Sequence, residues 1–297
     1  MVKTMRKISL ILALVMIFTL CAAFVSCNND PGEQGTPSDI PGVEDGVLTV
    51  GMECMYAPYN WTQLDDSNGA VPIANNPGAY ANGYDVMIAK KVCEKYGWKL
   101  EVMALEWGGL NPALSAETLD VVIAGQSMTA DRMLEVDMAG PYYYATIVCL
   151  ARKGTPNANA TSIQDLTGYC TAQSGTIWYE SCLPQIEGAD IQAAAESAPA
   201  MIMALTSGTV DFICTDLPTA DGAVAKNPDL VVLNFSGTDG DFQFADETER
   251  AENVNIGVSV KKGNTQLKDA IDAVLSEMTV ADFNALMNQA IDIQPEF

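Results

Sequence analysis

The sequence has no histidine and few cations: 15 Lys and Arg stand against 38 Asp and Glu over 297 residues, a formal net charge of −23. Without histidine, neither a Ser-His-Asp nor a Cys-His nucleophile can be assembled, and His-ligated zinc or haem centres are excluded. The scarcity of Lys and Arg argues against a nucleic-acid partner, since affinity for polyanions comes from cations that neutralise phosphates. Charged residues make up only 18% and hydrophobic ones 48%, which is the balance of a folded chain rather than a disordered one. The length fits about two domains.

What is present begins with a leader. Lys3, Arg6 and Lys7 precede an apolar run from Ile8 to Leu20, the arrangement of a secretory signal. Phe24-Val25-Ser26-Cys27 then resembles the lipobox of bacterial lipoproteins, with cleavage before Cys27 and lipidation of its sulfur. An uncleaved anchor is the alternative, because Ile8 to Val25 is nearly long enough to span a bilayer. Loss of the three leader cations leaves twelve against 38 acids, a mature charge of −26 that keeps the chain soluble and draws small cations towards it. Residues 1–26 are thus expected to be the signal peptide, and 27–45, rich in Pro, Gly and polar residues, a flexible tether. The expected location is outside the cytoplasm, held to the membrane by lipid.

Six cysteines remain: Cys54, Cys93, Cys149, Cys170, Cys182 and Cys214. No pair has CxxC spacing, so neither a metal nor another cofactor is expected. Cys93, Cys149 and Cys214 sit in apolar patterns and read as buried small hydrophobes. In an exported chain Cys170 and Cys182 are the nearest candidates for a disulfide.

From Gly46 onward, strand and helix signals alternate, which implies an α/β fold with a largely parallel sheet. Val47 to Val50 reads as a strand, and Asp85 as the cap of a helix that runs to Tyr96 and stops at Gly97. Leu100 to Leu105 and Asp120 to Gly125 read as further strands, Asn111 to Ser115 as a helix turn, and Thr265–Met278 and Ala281–Ile291 as closing helices. Ala113 to Gly125 is echoed by Ala204 to Asp216: each has a helix end, a polar turn, an Asp and a buried strand. The repeat suggests two similar lobes whose strand ends, Gly125 and Asp216, face one cleft, the usual ligand position in open α/β sheets.

Seven collinear segments carry a family resemblance. They are VGMECMYAPYNW (Val50–Trp61), GYDVMIAKKV (Gly83–Val92), LEWGGLNPAL (Leu105–Leu114), LDVVIAGQSMTADR (Leu119–Arg132), GPYYY (Gly140–Tyr144), AQSGT (Ala172–Thr176) and VDFICTDLPTA (Val210–Ala220). Together they resemble the extracellular solute-binding proteins of polar amino acid ABC transporters, over Val47 to Gln289. The resemblance implies the type II periplasmic-binding-protein-like fold. Lobe one would be 46–143 plus 256–297 and lobe two 147–254, with hinges near Tyr144–Val148 and Asn253–Val258. It implies an amino acid ligand, a permease partner and a monomer that makes and breaks no bond.

The same resemblance assigns the site. Arg132 would pair the ligand carboxylate through its planar guanidinium, unless it is a surface residue paired with Asp131 or Glu135. Thr176, in Ser174-Gly175-Thr176 at an expected helix start, would add a hydroxyl, with Gln173 at its border. Bulky Ile177-Trp178-Tyr179 depart from the family pattern there. Asp216 would receive the ligand ammonium, or else only cap the helix that begins near Leu217. Gly125 and Ser127 would complete this shell, while Gln126 has no assigned part. Tyr56 and Trp107 match aromatic positions around the ligand side chain, or are ordinary core. Glu53 matches an acidic position at the far end of the side chain. A buried carboxylate needs a partner, which favours a cationic or strongly polar ligand. Two other functions share the fold: a dehydratase of the cyclohexadienyl type, with Glu53 as its acid or base, and an amino acid sensor.

Overall fold

The structure, a computed structural model, describes residues 35–295. The leader, Cys27 and the tether as far as Gln34 lie outside the described residues. The rest of the expected tether, 35–45, is not a free linker: the Thr36 N–H donates to the Gly97 carbonyl at 2.7 Å, Asn264 Nδ2 donates to the Pro41 carbonyl at 2.8 Å, and Val43 is buried, because its apolar side chain has the first lobe to pack on. The first part of the chain runs through β1 (Val47–Met52), β2 (Met55–Tyr56), β3 (Asn60–Gln63), β4 (Val71–Pro72), β5 (Tyr80–Asn82), α1 (Tyr84–Tyr96), β6 (Lys99–Ala104), α2 (Leu110–Ser115), β7 (Val121–Val122), α3 (Ala130–Glu135) and β8 (Val136–Tyr143). It continues as β9 (Ile147–Arg152), β10 (Thr167–Thr171), β11 (Gly188–Ile191), α4 (Ala198–Thr206), β12 (Phe212–Asp216), α5 (Leu217–Lys226), β13 (Leu230–Leu233) and α6 (Glu247–Val254). It ends with β14 (Ile256–Lys261), α7 (Thr265–Leu275) and α8 (Val280–Ile293).

Two five-stranded sheets organise these elements, one in each lobe. The first has the order β6-β1-β7-β14-β8 and the second β11-β10-β12-β9-β13. In each, the three strands at one end are parallel, and the other two include the strand that carries the chain between lobes, paired antiparallel. The two halves of the sequence echo therefore occupy the same place. β7 and β12 are the central strands of their sheets, and each follows a short helix and a polar turn. Their fully buried residues explain the unbroken apolar runs, because a parallel sheet is covered on both faces. The chain passes from β8 to β9 through Tyr144–Thr146 and from α6 to β14 through Asn255.

Local signals account for most element ends. Gly97 takes a left-handed conformation (φ 69°) and its N–H bonds to the Cys93 carbonyl, which terminates α1. Thr129 caps α3 by accepting from the Arg132 N–H. Asp85 does not cap α1. Gly83, at φ 124°, starts the helix, and Asp85 lies within its first turn with its carboxylate fully buried. A Cβ on Gly83 would come within 2.3 Å of the Tyr59 carbonyl oxygen, so only glycine lets the loop before α1 pass this close.

The remaining helices have plain hydrophobic causes. In α7, Leu267, Ala270, Ile271, Val274 and Leu275 form one buried face against the first sheet, and α8 adds Phe283, Met287 and Ala290. All six mature cysteines of the described residues are buried and free, so Cys170 and Cys182 are not paired. Cys214 instead has its thiol against those of Cys149 and Cys182 in the core of the second lobe. Among the described residues no helix is long and apolar enough to cross a membrane.

Candidate functional site

The cleft is built from the ends of β1 and β7 on one side and of β10 and β12 on the other. β12 ends at Asp216, which is fully buried. The carboxylate caps α5, accepting from the Thr219 N–H at 3.0 Å, and accepts the Thr219 hydroxyl at 3.1 Å. It also accepts the Tyr56 hydroxyl from the opposite lobe at 2.7 Å. Capping and cleft duty thus fall on the same residue. Burial raises its pKa above the usual carboxylate range, while the Thr219 and Tyr56 hydrogen bonds pull the other way.

Tyr56 follows β1 and is itself buried. It stacks on Tyr59 with ring centroids 4.9 Å apart and planes 21° from parallel. Tyr59 was not a candidate from the sequence, where an aromatic in a loop reads as core. Its hydroxyl reaches Asp216 at 3.4 Å. Gly125, three residues beyond β7, lies under Tyr56: a Cβ there would come 2.7 Å from Tyr56 Cε1, and its φ is +65°. Glycine is required on both counts.

Glu53 is 6% exposed and lies one residue beyond β1. Gln173 Nε2 donates to its Oε2 at 3.3 Å across the cleft. Burial pushes its carboxyl up to about 7, and the Gln173 bond offsets this only in part. The Gln173 amide thus reaches the Glu53 end of the cleft, while its backbone carbonyl holds the Thr176 hydroxyl.

Arg132, in α3, sits at the other end. Its guanidinium donates to the Ser127 carbonyl and, across the cleft, to the Gly175 carbonyl at 3.3 Å. It rests over the Trp107 ring, 5.7 Å from the centroid. It pairs with neither Asp131 nor Glu135; burial lowers its pKa to about 10. Ser127 enters this group through its backbone carbonyl. The Thr176 hydroxyl donates to the Gln173 carbonyl at 2.7 Å. The expected helix after Thr176 is a π-helical turn, Trp178–Cys182, that runs on into a 3-10 turn, Leu183–Gln185, and the Tyr179 and Glu180 N–H groups bond back to the Thr176 carbonyl. Of the bulky residues that break the family pattern, Ile177 and Trp178 are buried and Tyr179 is half-buried against the core.

Gln126 is explained as well. Its side chain accepts from the Ser259 hydroxyl at 2.7 Å and donates to Asn111 at 3.1 Å, so it ties β7 to β14 and α2 below the cleft floor. A cavity of about 380 Å³ opens beside Arg132, with Asp131, Glu135, Glu180, Thr176 and Asn111 on its walls. A second, more apolar cavity of about 240 Å³ lies between the lobes behind Tyr56, lined by Met55, Ile202, Thr219 and Gln294 among others. Arg132 and Thr176 face the first cavity, and Thr219, which bonds Asp216, faces the second.

The profile of the bacterial extracellular solute-binding proteins, family 3, matches residues 48–290. The chain belongs to that family. Among curated relatives, a probable histidine-binding protein of Campylobacter jejuni is 28% identical over 233 residues, 77% of this chain and 83% of the relative. The L-cystine-binding protein TcyA of Bacillus subtilis is 26% identical and covers 90% of this chain and 91% of its own. The arginine-bound form of truncated ArgBP from T. maritima is 26% identical, with a TM-score of 0.62 over 79% of this chain and 97% of that one. An arginine-bound amino acid transporter substrate-binding protein from Streptococcus pneumoniae, at 22% identity and TM-score 0.69, shares the fold over 84% of this chain and 95% of its own. The two-lobed architecture expected from the sequence is the one these structures share.

Proposed function

We propose that the cleft binds a free amino acid with a cationic side chain and presents it to an ABC importer. The observation that carries this reading is a count of charge. The cleft sets one guanidinium, Arg132, against two buried carboxylates, Glu53 and Asp216. An α-amino acid brings one carboxylate and one ammonium, which match Arg132 and Asp216. Glu53 then lacks a cationic partner, and a buried carboxylate without one is costly. A second positive charge on the ligand side chain supplies it. The acidic walls beside Arg132 (Asp131, Glu135, Glu180) and the excess of acids over the whole chain steer such a ligand inward.

Each ligand group has a contact to replace. The carboxylate takes the guanidinium from the Ser127 and Gly175 carbonyls and meets the Thr176 hydroxyl. The ammonium meets Asp216, joined by the Gly125 carbonyl. The side chain runs past Tyr56 and Trp107 to Glu53 and Gln173. Because the contributors lie on both lobes, only the closed arrangement makes every contact, so ligand binding favours closure about the two crossings near Tyr144 and Asn255. The lobes act on the ligand as a clamp. The relatives bind histidine, cystine and arginine by name, which supports an amino acid ligand. The protein is expected to work as a monomer anchored through lipidated Cys27 at the outer face of the cell membrane, with the importer's permease as its protein partner.

A thermal-shift panel of amino acids tests the reading. L-arginine, L-lysine and L-ornithine should raise the melting temperature most, since a ligand at 100 times its Kd stabilises by about 2.7 kcal/mol. A panel in which no amino acid shifts the transition removes the reading. Turnover of prephenate or arogenate by the purified protein would point instead to the dehydratase function.

A further inference from the structure

Two residues at the cleft floor have left-handed backbone: Cys54, which follows Glu53, at φ +56°, and Gly125 at φ +65°. For Cys54 that conformation is unfavourable and must be held by its surroundings. Both are held by one group outside the cleft. The Cys54 N–H donates to Asn60 Oδ1 at 2.6 Å, and Asn60 Nδ2 donates to Asp85 Oδ2 at 2.7 Å. The Gly125 N–H donates to the Tyr142 hydroxyl at 3.0 Å, and that hydroxyl donates to Asp85 Oδ1 at 2.7 Å. The two carboxylate oxygens of Asp85 thus serve two separate chains of hydrogen bonds, one to the residue after Glu53 and one to Gly125.

Resting on the ligand reading above, we propose that Asp85 is a positioning residue: through Asn60 it aims Glu53 at the ligand side chain, and through Tyr142 it sets the Gly125 carbonyl for the ligand ammonium. Asp85 is fully buried on the first turn of α1, has no cation beside it, and feels the charge of Asp216. A carboxylate in such a place is expensive to keep. An uncharged residue would pack there at less cost. What the carboxylate offers is acceptors only, on two oxygens, facing two donors. Asparagine in its place presents one acceptor and one donor group, so it cannot accept from both: with its oxygen on Asn60, its amide has to donate to the Tyr142 hydroxyl and reverse that link.

The two chains can be cut one at a time. Tyr142→Phe removes only the hydroxyl link to Gly125, and Asn60→Ala only the link to Cys54. By calorimetry with L-arginine and its neutral isostere L-citrulline, Tyr142→Phe should weaken both about fivefold to tenfold, leaving their ratio unchanged. Asn60→Ala should weaken L-arginine more than L-citrulline, so that their ratio falls at least threefold. Amide hydrogen exchange on the ligand-free protein reads the same links without any ligand: Gly125 loses protection in Tyr142→Phe and Cys54 in Asn60→Ala. The proposal is overturned if both exchange rates stay at wild-type values, or if Asn60→Ala changes the two affinities by one common factor. If wild-type protein does not bind L-arginine, the ligand reading falls, and the exchange data still decide the positioning role.

Discussion

Replacing Glu53 by Gln should make the ligand-free protein more stable and a poorer binder, and the stabilisation should depend on pH. Glutamine keeps the shape and can still accept from Gln173. In the unfolded chain the Glu53 carboxyl ionises near 4.5, whereas burial pushes it to about 7 in the folded protein. Below the unfolded value both states hold the proton and the carboxyl costs nothing. Between the two values unfolding releases the proton, so stability falls as pH rises. Above the folded value the full cost is present. The shift from 4.5 to about 7 corresponds to about 3 kcal/mol at pH 8 and about 1 kcal/mol at pH 5. Urea denaturation of wild type and Glu53→Gln at the two pH values isolates this group, because the other buried acids, Asp85 and Asp216, titrate equally in both proteins. The variant should gain about 2 kcal/mol more at pH 8 than at pH 5. The same change should weaken L-arginine at least tenfold, an exchange of stability for function common at binding sites. Equal gains at both pH values would show that the Glu53 carboxylate is not held away from water and would refute the charge count.

Further expectations concern neighbouring groups. Arg132→Ala should lower ligand affinity by about a hundredfold in calorimetry, since truncating one member of a buried charge pair costs about 2–5 kcal/mol. An effect under twofold would remove Arg132 from the site. Gly125→Ala places a Cβ 2.7 Å from Tyr56 Cε1 at φ +65°, and should cost about 1–3 kcal/mol in urea denaturation along with a measurable loss of binding. Alkylation of the denatured, unreduced protein should label Cys54, Cys93, Cys149, Cys170, Cys182 and Cys214, all free in the structure. A mass spectrum that shows any two of them joined would contradict this.

Much of the fold was legible in the chain. Apolar runs and helix stop signals gave β1, α1, β6, α2, β7 and the two closing helices, and the resemblance between Ala113–Gly125 and Ala204–Asp216 fell on the strands that are central to the two sheets. Strand ends were less well defined: the ladder covers only Val121–Val122 where the sequence suggests Asp120–Gly125, because Gly125 turns to positive φ. Asp85 was misread for a clear reason. An Asp near a helix start favours a cap, and nothing local shows that Tyr142, 57 residues away, will bring a hydroxyl to it. The same holds for Asn60, which reaches Asp85 on α1, and for Gln126, whose partners Ser259 and Asn111 lie on β14 and α2. Within the site, the family pattern indicated the cleft residues, but not how they meet. That Tyr56 bonds Asp216, that Gln173 turns to Glu53 and that Trp107 carries Arg132 are consequences of lobe packing. The spacing of the six cysteines beyond Cys27 could not tell thiols from disulfides. In the fold, Cys170 lies on a strand, Cys182 in the π-helical turn, and Cys214 between other thiols.

The central claim is that Glu53 selects a positive charge on the ligand side chain. Isothermal titration of the wild-type protein with L-arginine and L-citrulline tests it most directly, because the two differ in charge and little in shape. L-arginine should bind at least tenfold more tightly, a difference of about 1.4 kcal/mol, and the preference should shrink in Glu53→Gln. Equal affinities, or tighter binding of L-citrulline, would contradict it.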